Sequence, residues 1–155
     1  ANIHEVLEYV LNLVDAEESD SLNVVRDYDP SLPVIKADRE QLIQAFLNVI
    51  RNAVQAIDED GQITLRSRII RRTTIRQHYY KIAVQVEVID NGPGVPEEIE
   101  GGIFYPMVTG RAEGTGLGLS IAQSLIQSHG GIIEYDRVDD RTVFRILLPI
   151  EYRND

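Results

Sequence analysis

A run of alternating glycines could bind phosphate. The sequence Gly114-Thr115-Gly116-Leu117-Gly118-Leu119-Ser120 leads directly into apolar residues at helical spacing. Glycine lets backbone N–H groups approach an anion closely, and the first amides of a helix attract negative charge. Because such segments also serve simply to turn the chain, this pattern alone does not establish a phosphate site.

A carboxylate followed by two glycines forms a second candidate. Asp90-Asn91-Gly92-Pro93-Gly94 follows a stretch whose apolar side chains alternate from Tyr80 to Val88, which predicts a strand. By this alternation Asp90 lies on the apolar side, where an ionised carboxylate is costly unless it is hydrogen-bonded. Asp90 therefore either is satisfied by the following turn or points into a pocket.

Two asparagines lie one turn apart on a predicted helix. Asp38 and Gln41 form a capping-box pattern at its start. Asn48 and Asn52 share one line along the edge of its apolar stripe. The opposite face is expected to hold Gln44, Arg51 and Gln55. Both asparagine amides therefore lie at the rim of the core, where they line a cleft or simply mark the boundary of a surface helix.

The segment 95–116 contains repeated glycines and little regular periodicity, apart from a short helix predicted at 96–100. A long irregular segment inside a compact domain is commonly a functional loop such as a lid. Arg111 lies within it among acidic residues. Its guanidinium is a candidate phosphate contact, and an ion pair with Glu113 is the alternative.

The composition limits the classes of protein to consider. The chain has 155 residues, 43% of them hydrophobic, which suits one domain with a core. The formal net charge of -10 argues against nucleic acid as the main partner, since duplex binding relies on a positive surface. Without cysteine there is no disulfide or thiolate metal site. No signal peptide or membrane-spanning run is evident. We therefore expect a cytoplasmic location. Because the chain opens in mid-pattern at Ala1 without an initiator Met, we also expect a fragment of a longer protein.

Apolar spacing predicts the remaining elements. They are a helix at 3–14, strands at 22–28 and 63–69, a polar connection at 71–78, a helix from 117 to 129, and strands at 132–135 and 142–148. A turn at Asp139-Asp140 joins the last two strands into a hairpin. The alternation in the last strand turns the hydroxyl of Thr142 inward.

Taken together, the motifs resemble the ATP-binding catalytic domain of sensor histidine kinases, within the superfamily of gyrase, heat-shock chaperones and MutL-type ATPases. The resemblance rests on Asn48-Val49-Ile50-Arg51-Asn52-Ala53, Asp90–Gly94 and Gly114–Gly118, in this order. Residues 104–111 (Phe-Tyr-Pro-Met-Val-Thr-Gly-Arg) and 26–30 (Arg-Asp-Tyr-Asp-Pro) are similar to the sensor kinases of nitrogen regulation. The resemblance covers roughly residues 20–150.

The resemblance implies a role for each motif. Asp90 accepts the adenine amine, Asn52 holds Mg²⁺, Asn48 contacts phosphate or a metal-bound water, and Arg111 contacts phosphate. The implied catalytic residues are Asn48, Asn52 and Arg111. The implied nucleotide-binding residues are Asn48, Asn52, Asp90, Gly92, Gly94, Thr109, Arg111, Gly114, Thr115, Gly116, Leu117, Gly118, Leu119 and Thr142.

The identity of Asn48 separates two branches of this superfamily. The ATPase members carry at this position a glutamate that activates water. An asparagine amide cannot accept a proton at neutral pH, so efficient hydrolysis is not expected. Transfer of the γ-phosphoryl group of Mg·ATP to an external histidine is expected instead.

The histidines of the chain do not match the family's acceptor motif. His4 is followed by Glu5 but not by the rest of the pattern, His78 lies in the predicted connection, and His129 resembles a structural position at a helix end. The acceptor is expected on a dimeric helical domain upstream of Ala1.

The expected fold is α+β: a two-layer sandwich in which a mixed sheet of about five strands packs on three main helices. Residues 1–20 are expected to be a linker helix from the upstream dimerisation and phosphoacceptor domain, and 21–155 the catalytic domain with its lid at 95–116.

The implied cofactors are ATP and Mg²⁺. The implied partners are the chain's own dimerisation and histidine phosphotransfer domain, a response regulator and a PII-type signalling protein, without nucleic acid or membrane.

Two other functions remain open from the residues. One is an ATPase or an anti-sigma-factor-type serine kinase on the same fold, and the other is a regulatory module that holds nucleotide without catalysis. The basic stretch Arg66 to Arg76 either docks an acidic partner or is the solvated side of a hairpin.

Overall fold

Five strands form one mixed sheet, and three helices pack against one of its faces. The computed structural model describes residues 1–17, 22–58, 60–94, 102 and 118–150. The elements are α1 (Ile3–Glu17), β1 (Val24–Asp27), α2 (Arg39–Ala56), β2 (Ile63–Ile75), β3 (His78–Asp90), α3 (Gly118–Ser128), β4 (Ile132–Val138) and β5 (Arg141–Pro149). The strand order is β1-β2-β3-β5-β4. Only β1 and β2 pair in parallel among these strands. The predicted two-layer α+β fold is confirmed.

The core lies between the helices and the alternating apolar residues of the sheet. Val84, Val86 and Val88 of β3 face the helices together with Phe144 and Ile146 of β5, and all five are fully buried. In the described part of the chain no helix is both long and apolar enough to cross a membrane.

The first helix belongs to this same core. Its apolar stripe is buried and joins the cluster that α2 forms with the sheet. The buried residues of α1 are Ile3, Val6, Leu7, Val10, Leu11 and Val14. The division at residue 20 between linker and catalytic domain stays a prediction, but α1 packs as one of the three helices of the sandwich.

The cap of α2 forms as its sequence predicts. The carboxylate of Asp38 accepts a hydrogen bond from the Gln41 amide at 3.1 Å, and Asp38 has an extended backbone. His129 ties this helix start to the end of α3. Because a carbonyl only accepts, Nδ1 of His129 donates to Leu125 O at 2.9 Å, and Nε2 accepts from the Asp38 amide at 3.1 Å. His129 is therefore structural, as expected.

The predicted connection at 71–78 is wrong. β2 continues to Ile75, and Arg76 and Gln77 alone form the turn, both with positive φ (50° and 72°). This is a type I′ turn, whose twist matches that of the paired strands. Ile75 and Tyr80 are buried in a separate small cluster with Ala83, which explains why a stretch rich in arginine and threonine remains a strand. The second hairpin turns at Asp139-Asp140, as predicted.

A row of alternating charges crosses the face of the sheet away from the helices. We call it the charge row: Asp27, Arg66, Glu87, Arg145 and Asp136. Successive members form ion pairs of 2.9, 3.7, 3.1 and 3.7 Å. Asp27 also pairs with Arg68 at 2.9 Å, and the hydrogen bonds from both arginines lower the pKa of its carboxyl. Arg66 and Arg68 are therefore neutralised by the sheet itself.

A polar network fastens the start of α1 to β1 and β2. His4 stacks on the ring of Tyr28 at 4.4 Å, and its Nε2 lies 2.7 Å from Ser67 Oγ. Glu8 accepts from the Tyr28 hydroxyl at 2.6 Å and from Arg26 at 2.8 Å. Burial lowers the pKa of His4. The pKa of Glu8 is also lowered, because the hydrogen bonds from Arg26 and Tyr28 outweigh its partial burial.

Candidate functional site

The edge of α2 presents amide side chains at the rim of the core. Asn48 and Asn52 are half-buried on one line of the helix. Gln44 lies on the same line, since its Nε2 donates to Asn48 Oδ1 at 3.3 Å, so its expected place on the opposite face is wrong. Residues four apart are neighbours on a helix, and this spacing predicts the observed contact. The Nδ2 atom of Asn48 is buried and has no hydrogen-bond partner among the described residues.

The start of α3 lies beside Asn48. A Cβ added to Gly118, the first residue of α3, would lie 3.9 Å from the Cβ of Asn48. The side chain of Leu119 packs against the core, so only its backbone amide is available to a ligand. The structure therefore brings an unsatisfied amide donor to the positive end of a helix dipole, an arrangement that suits an anion.

The carboxylate of Asp90 lies at the end of β3 on the helix side of the sheet. Asp90 is 1% exposed, and its Oδ1 accepts a hydrogen bond from the Gly92 amide at 2.9 Å. The strand alternation thus places this carboxylate correctly, and the turn after it supplies one hydrogen bond. Gly92 is necessary there, because an added Cβ would lie 2.4 Å from the carbonyl oxygen of Ala56 at the end of α2.

Thr142 faces Asp90 from the neighbouring strand. The two residues are direct partners in the antiparallel pair of β3 and β5, and Thr142 is 3% exposed. Directly opposed side chains lie about 5 Å apart at Cβ, so the hydroxyl and the carboxylate are neighbours. The predicted inward orientation of Thr142 is confirmed.

Arg137 completes this end of the site. Its Nη1 donates to Gly92 O at 2.8 Å and to Thr142 Oγ1 at 2.9 Å. Gly94 has a φ of 81°, and an added Cβ there would lie 3.1 Å from Tyr135 Oη and 3.3 Å from Nε of Arg137. The loop from Asp90 to Gly94 is therefore held from both sides, by the end of α2 and by β4.

Arg137 was not predicted as a site residue from the sequence, although a signal was present. Ile133 and Tyr135 mark the helix-facing side of β4, and Arg137 is the next residue on that side. Counting back from the turn at Asp139-Asp140 pairs it with Thr142. A basic residue that continues an apolar face opposite a buried hydroxyl indicates a polar site.

A pocket of about 490 Å³ opens beside this loop. It is lined by Ala56, Ile57, Asp58, Asp60, Asn91, Gly92 and Pro93. The end of α2 and the loop after β3 therefore line one cleft.

Several predicted site residues lie outside the described residues. They are Thr109, Arg111, Gly114, Thr115, Gly116 and Leu117. The predicted short helix at 96–100 also lies outside the described residues, as does the rest of the predicted lid at 95–116 except Gly102. The described residues nevertheless bring Asn48, Asn52 and Gly118 together at one end of the site, and Asp90, Gly92, Gly94 and Thr142 at the other.

The sequence of this chain matches a known protein family and known relatives. Residues 37–152 match the family described as histidine kinase-, DNA gyrase B- and HSP90-like ATPase. The chain is 49% identical over 150 residues to the sensory histidine kinase/phosphatase NtrB of Klebsiella oxytoca, which covers 96% of this chain and 43% of that protein. The chain thus spans less than half the length of the NtrB relatives that it matches.

Solved structures agree with this match. The nucleotide-free catalytic domain of histidine kinase ThkA has a TM-score of 0.81 and 30% identity, with coverage of 97% of this chain and 93% of that one. ThkA in complex with response regulator protein TrrA has a TM-score of 0.77 and 27% identity over 97% of this chain and 41% of that one. The family match covers most of the chain, and the fold and the two groups of site residues agree with it. The chain belongs to the family of histidine kinase-, DNA gyrase B- and HSP90-like ATPases.

Proposed function

We propose that this chain is the ATP-binding catalytic domain of a sensor histidine kinase of nitrogen regulation. It holds Mg·ATP while the γ-phosphoryl group passes to a histidine on another domain. The observation that carries the proposal is a site with two chemically distinct ends. One end presents a buried carboxylate beside a hydroxyl, and the other presents a buried amide donor at a helix start.

The carboxylate end suits the base of the nucleotide. A carboxylate accepts several hydrogen bonds at once, so Asp90 has capacity for the exocyclic amine of adenine beyond its bond to Gly92. The close contact of Gly92 with the end of α2 holds the loop backbone in place, and with it the amide that donates to the carboxylate.

The amide end suits the phosphates and their cation. The buried Nδ2 of Asn48 needs an acceptor, and a phosphate oxygen or a metal-bound water supplies one. Asn52, one turn further along α2, offers the hard amide oxygen that Mg²⁺ accepts together with retained water and phosphate oxygens. Bound Mg²⁺ supplies neutralisation of the phosphate charge. With Arg111 and the amides of Gly114–Gly118, these residues form the proposed catalytic set.

The side chain of Asn48 favours transfer over hydrolysis. A general base must lie within reach of the attacking water and accept its proton, and an amide does not. Phosphoryl transfer relies mostly on positioning and charge stabilisation, which this chain provides, and the attacking imidazole comes from a separate domain.

The chain's own histidines are occupied elsewhere or lie away from the site. His4 contacts Ser67 and Tyr28, His129 joins α3 to α2, and His78 lies at the start of β3 beside the hairpin turn. The proposed acceptor therefore lies in the dimerisation domain. From the family resemblance we also propose that a response regulator and a PII-type protein are partners of this protein and that it is cytoplasmic.

One experiment separates the three candidate functions. Mg·ATP is titrated calorimetrically into the chain, and ADP release is then followed for hours, alone and with a separate domain carrying the acceptor histidine. Binding without turnover, followed by acid-labile labelling of the added domain, is expected. Steady ADP release by the chain alone would favour the ATPase, and binding without transfer to any acceptor would favour the regulatory module.

The substitution Asn52→Asp is the matched test of the metal site. A carboxylate in place of the amide adds a negative charge beside the phosphates, so we expect Mg·ATP binding to weaken at least tenfold, the equivalent of about 1.4 kcal/mol. Gln55→Glu adds the same charge on an exposed part of α2 and serves as the control. Equal affinities for the two variants would contradict the assignment of Asn52.

A further inference from the structure

Arg137 is the one residue in contact with both the Asp90–Gly94 loop and Thr142 among the described hydrogen bonds. It donates through a single atom, Nη1, to Gly92 O and to Thr142 Oγ1. The residue is otherwise exposed at the rim of the sheet, so it is held there by these two bonds rather than by burial.

The contact restricts the hydrogen bonding of the Thr142 hydroxyl. A guanidinium has donors and no acceptor, so Thr142 Oγ1 accepts from Arg137 and its own proton must point elsewhere. Thr142 is buried and stands opposite Asp90 in the sheet. Arg137 thereby occupies one of the two lone pairs of the hydroxyl, which favours the hydroxyl as a donor on the side of the strand pair that Asp90 also occupies.

An adjacent donor and acceptor select between purines. The six-membered edge of adenine carries an amine donor next to a ring-nitrogen acceptor. A 6-oxopurine carries a carbonyl acceptor next to an N–H donor, which is the reverse order. A site that presents a mismatched polar group rejects a ligand far more strongly than a site that is merely the wrong size.

We propose that Arg137 is a specificity-determining residue: by donating to Thr142 Oγ1 it occupies a lone pair and favours the hydroxyl as a donor beside Asp90, so that the site prefers 6-aminopurine to 6-oxopurine nucleotides. The inference rests on the proposed nucleotide function. Arg137 acts through Thr142 and the loop, and it is a positioning residue for the base rather than a catalytic one.

The test compares the ATP and ITP affinities of wild type and Arg137→Met, each titrated as the magnesium complex, with inorganic tripolyphosphate as a probe without a base. In R137M the hydroxyl rotates freely and accepts as readily as it donates. We expect ATP to weaken about five- to tenfold, close to the loss of one hydrogen bond, while ITP changes less than about twofold. Tripolyphosphate binding should be unchanged.

Arg141→Met is the matched control, since Arg141 lies in the same hairpin and is exposed beside its turn. An ATP-to-ITP ratio in R137M equal to that of wild type would overturn the inference and leave the nucleotide function intact. This includes equal weakening of ATP and ITP, which leaves the ratio unchanged and would show that Arg137 only braces the loop. Wild type that binds none of the three ligands would overturn the proposed function and this inference together.

Circular dichroism and thermal melting establish that R137M is folded. If it is not, Arg137→Gln is titrated in the same way, because the shorter side chain leaves Thr142 out of reach and keeps a polar group at the rim. The same fall in the ATP-to-ITP ratio is expected, and an unchanged ratio would again overturn the inference.

Discussion

At the scale of single residues, hydrogen-bond capacity determines what the site binds. Asp90 is buried with its carboxylate beside a hydroxyl, and Asn48 keeps a buried amide donor without a described partner. Buried polar atoms are costly unless they are bonded, so the unsatisfied Asn48 amide indicates a ligand with an acceptor at that point.

The substitution Asp90→Asn tests the base end. The new amide presents N–H groups where the carboxylate had only acceptors, so the exocyclic amine of adenine meets a donor. We expect at least a tenfold loss in Mg·ATP affinity, about 1.4 kcal/mol, measured by calorimetry. Asp136→Asn, on the outer face of the sheet, is the control. Unchanged affinity in D90N would remove Asp90 from the base contact.

Strand alternation was enough to predict which way Asp90 and Thr142 point, because period 2 leaves no choice once one face is apolar. Arg137 was missed because a charged residue at the end of a strand is usually solvent-exposed, and its role depends on how the strands pair. In the structure, Arg137 donates hydrogen bonds to Gly92 and Thr142, and these contacts place it at the site.

At the scale of elements, side chains join helices and strands that the sequence separates widely. His129 bridges the start of α2 and the end of α3 across 91 residues. The predicted helix boundaries were close because caps and glycines are local signals. The length of β2 was underestimated, since the cluster that buries Ile75 and Tyr80 depends on tertiary packing.

Replacing His129 with alanine should weaken this bridge. The Asp38 amide and the Leu125 carbonyl would each lose a partner, for an expected loss of about 1–2 kcal/mol in the free energy of unfolding. Urea unfolding followed by circular dichroism measures it. His78→Ala, at an exposed position beside the hairpin turn, is the control. Equal stability of the two variants would show that the bridge is replaced by water at no cost.

The network at the start of α1 should make stability depend on pH in two steps. The pKa of His4 lies below 6.5 in the folded state, so as pH falls through about 6.5 the unfolded state binds the proton first and stability declines. The pKa of Glu8 lies below 4.5, so its contribution is present above that pH and is lost as pH falls through its folded value.

Urea unfolding at a series of pH values separates the two steps. His4→Gln should remove the decline that begins near pH 6.5, and Glu8→Gln should remove the one that begins below about pH 4.5. Glu5→Gln, on the exposed side of α1, should leave both in place. Two declines that persist in both variants would assign them to other groups.

At the scale of the whole molecule, α1 belongs to the same hydrophobic core as α2 and the sheet. Leu7 is fully buried, so Leu7→Ala should cost about 2–5 kcal/mol and lower the midpoint of one cooperative unfolding transition. Leu13, 37% exposed on the same helix, provides the control Leu13→Ala, with an expected cost below about 1 kcal/mol. A separate early transition in L7A would show that α1 unfolds on its own, as a linker would.

The charge row has a consequence for how the chain finds its pairing. A slip of one residue between strands exposes their apolar side chains, but a slip of two keeps every side chain on its own face, so hydrophobic alternation does not distinguish it. β2 and β3 are long enough, at 13 residues each, for such a slip. In the native register Arg66 meets Glu87, and Glu87 meets Arg145. Moving β3 by two residues would separate Glu87 from Arg145 in either direction, although one of the two slips brings Arg68 opposite Glu87 in place of Arg66. The ion pairs of the outer face therefore favour the native alignment, which the apolar face leaves ambiguous.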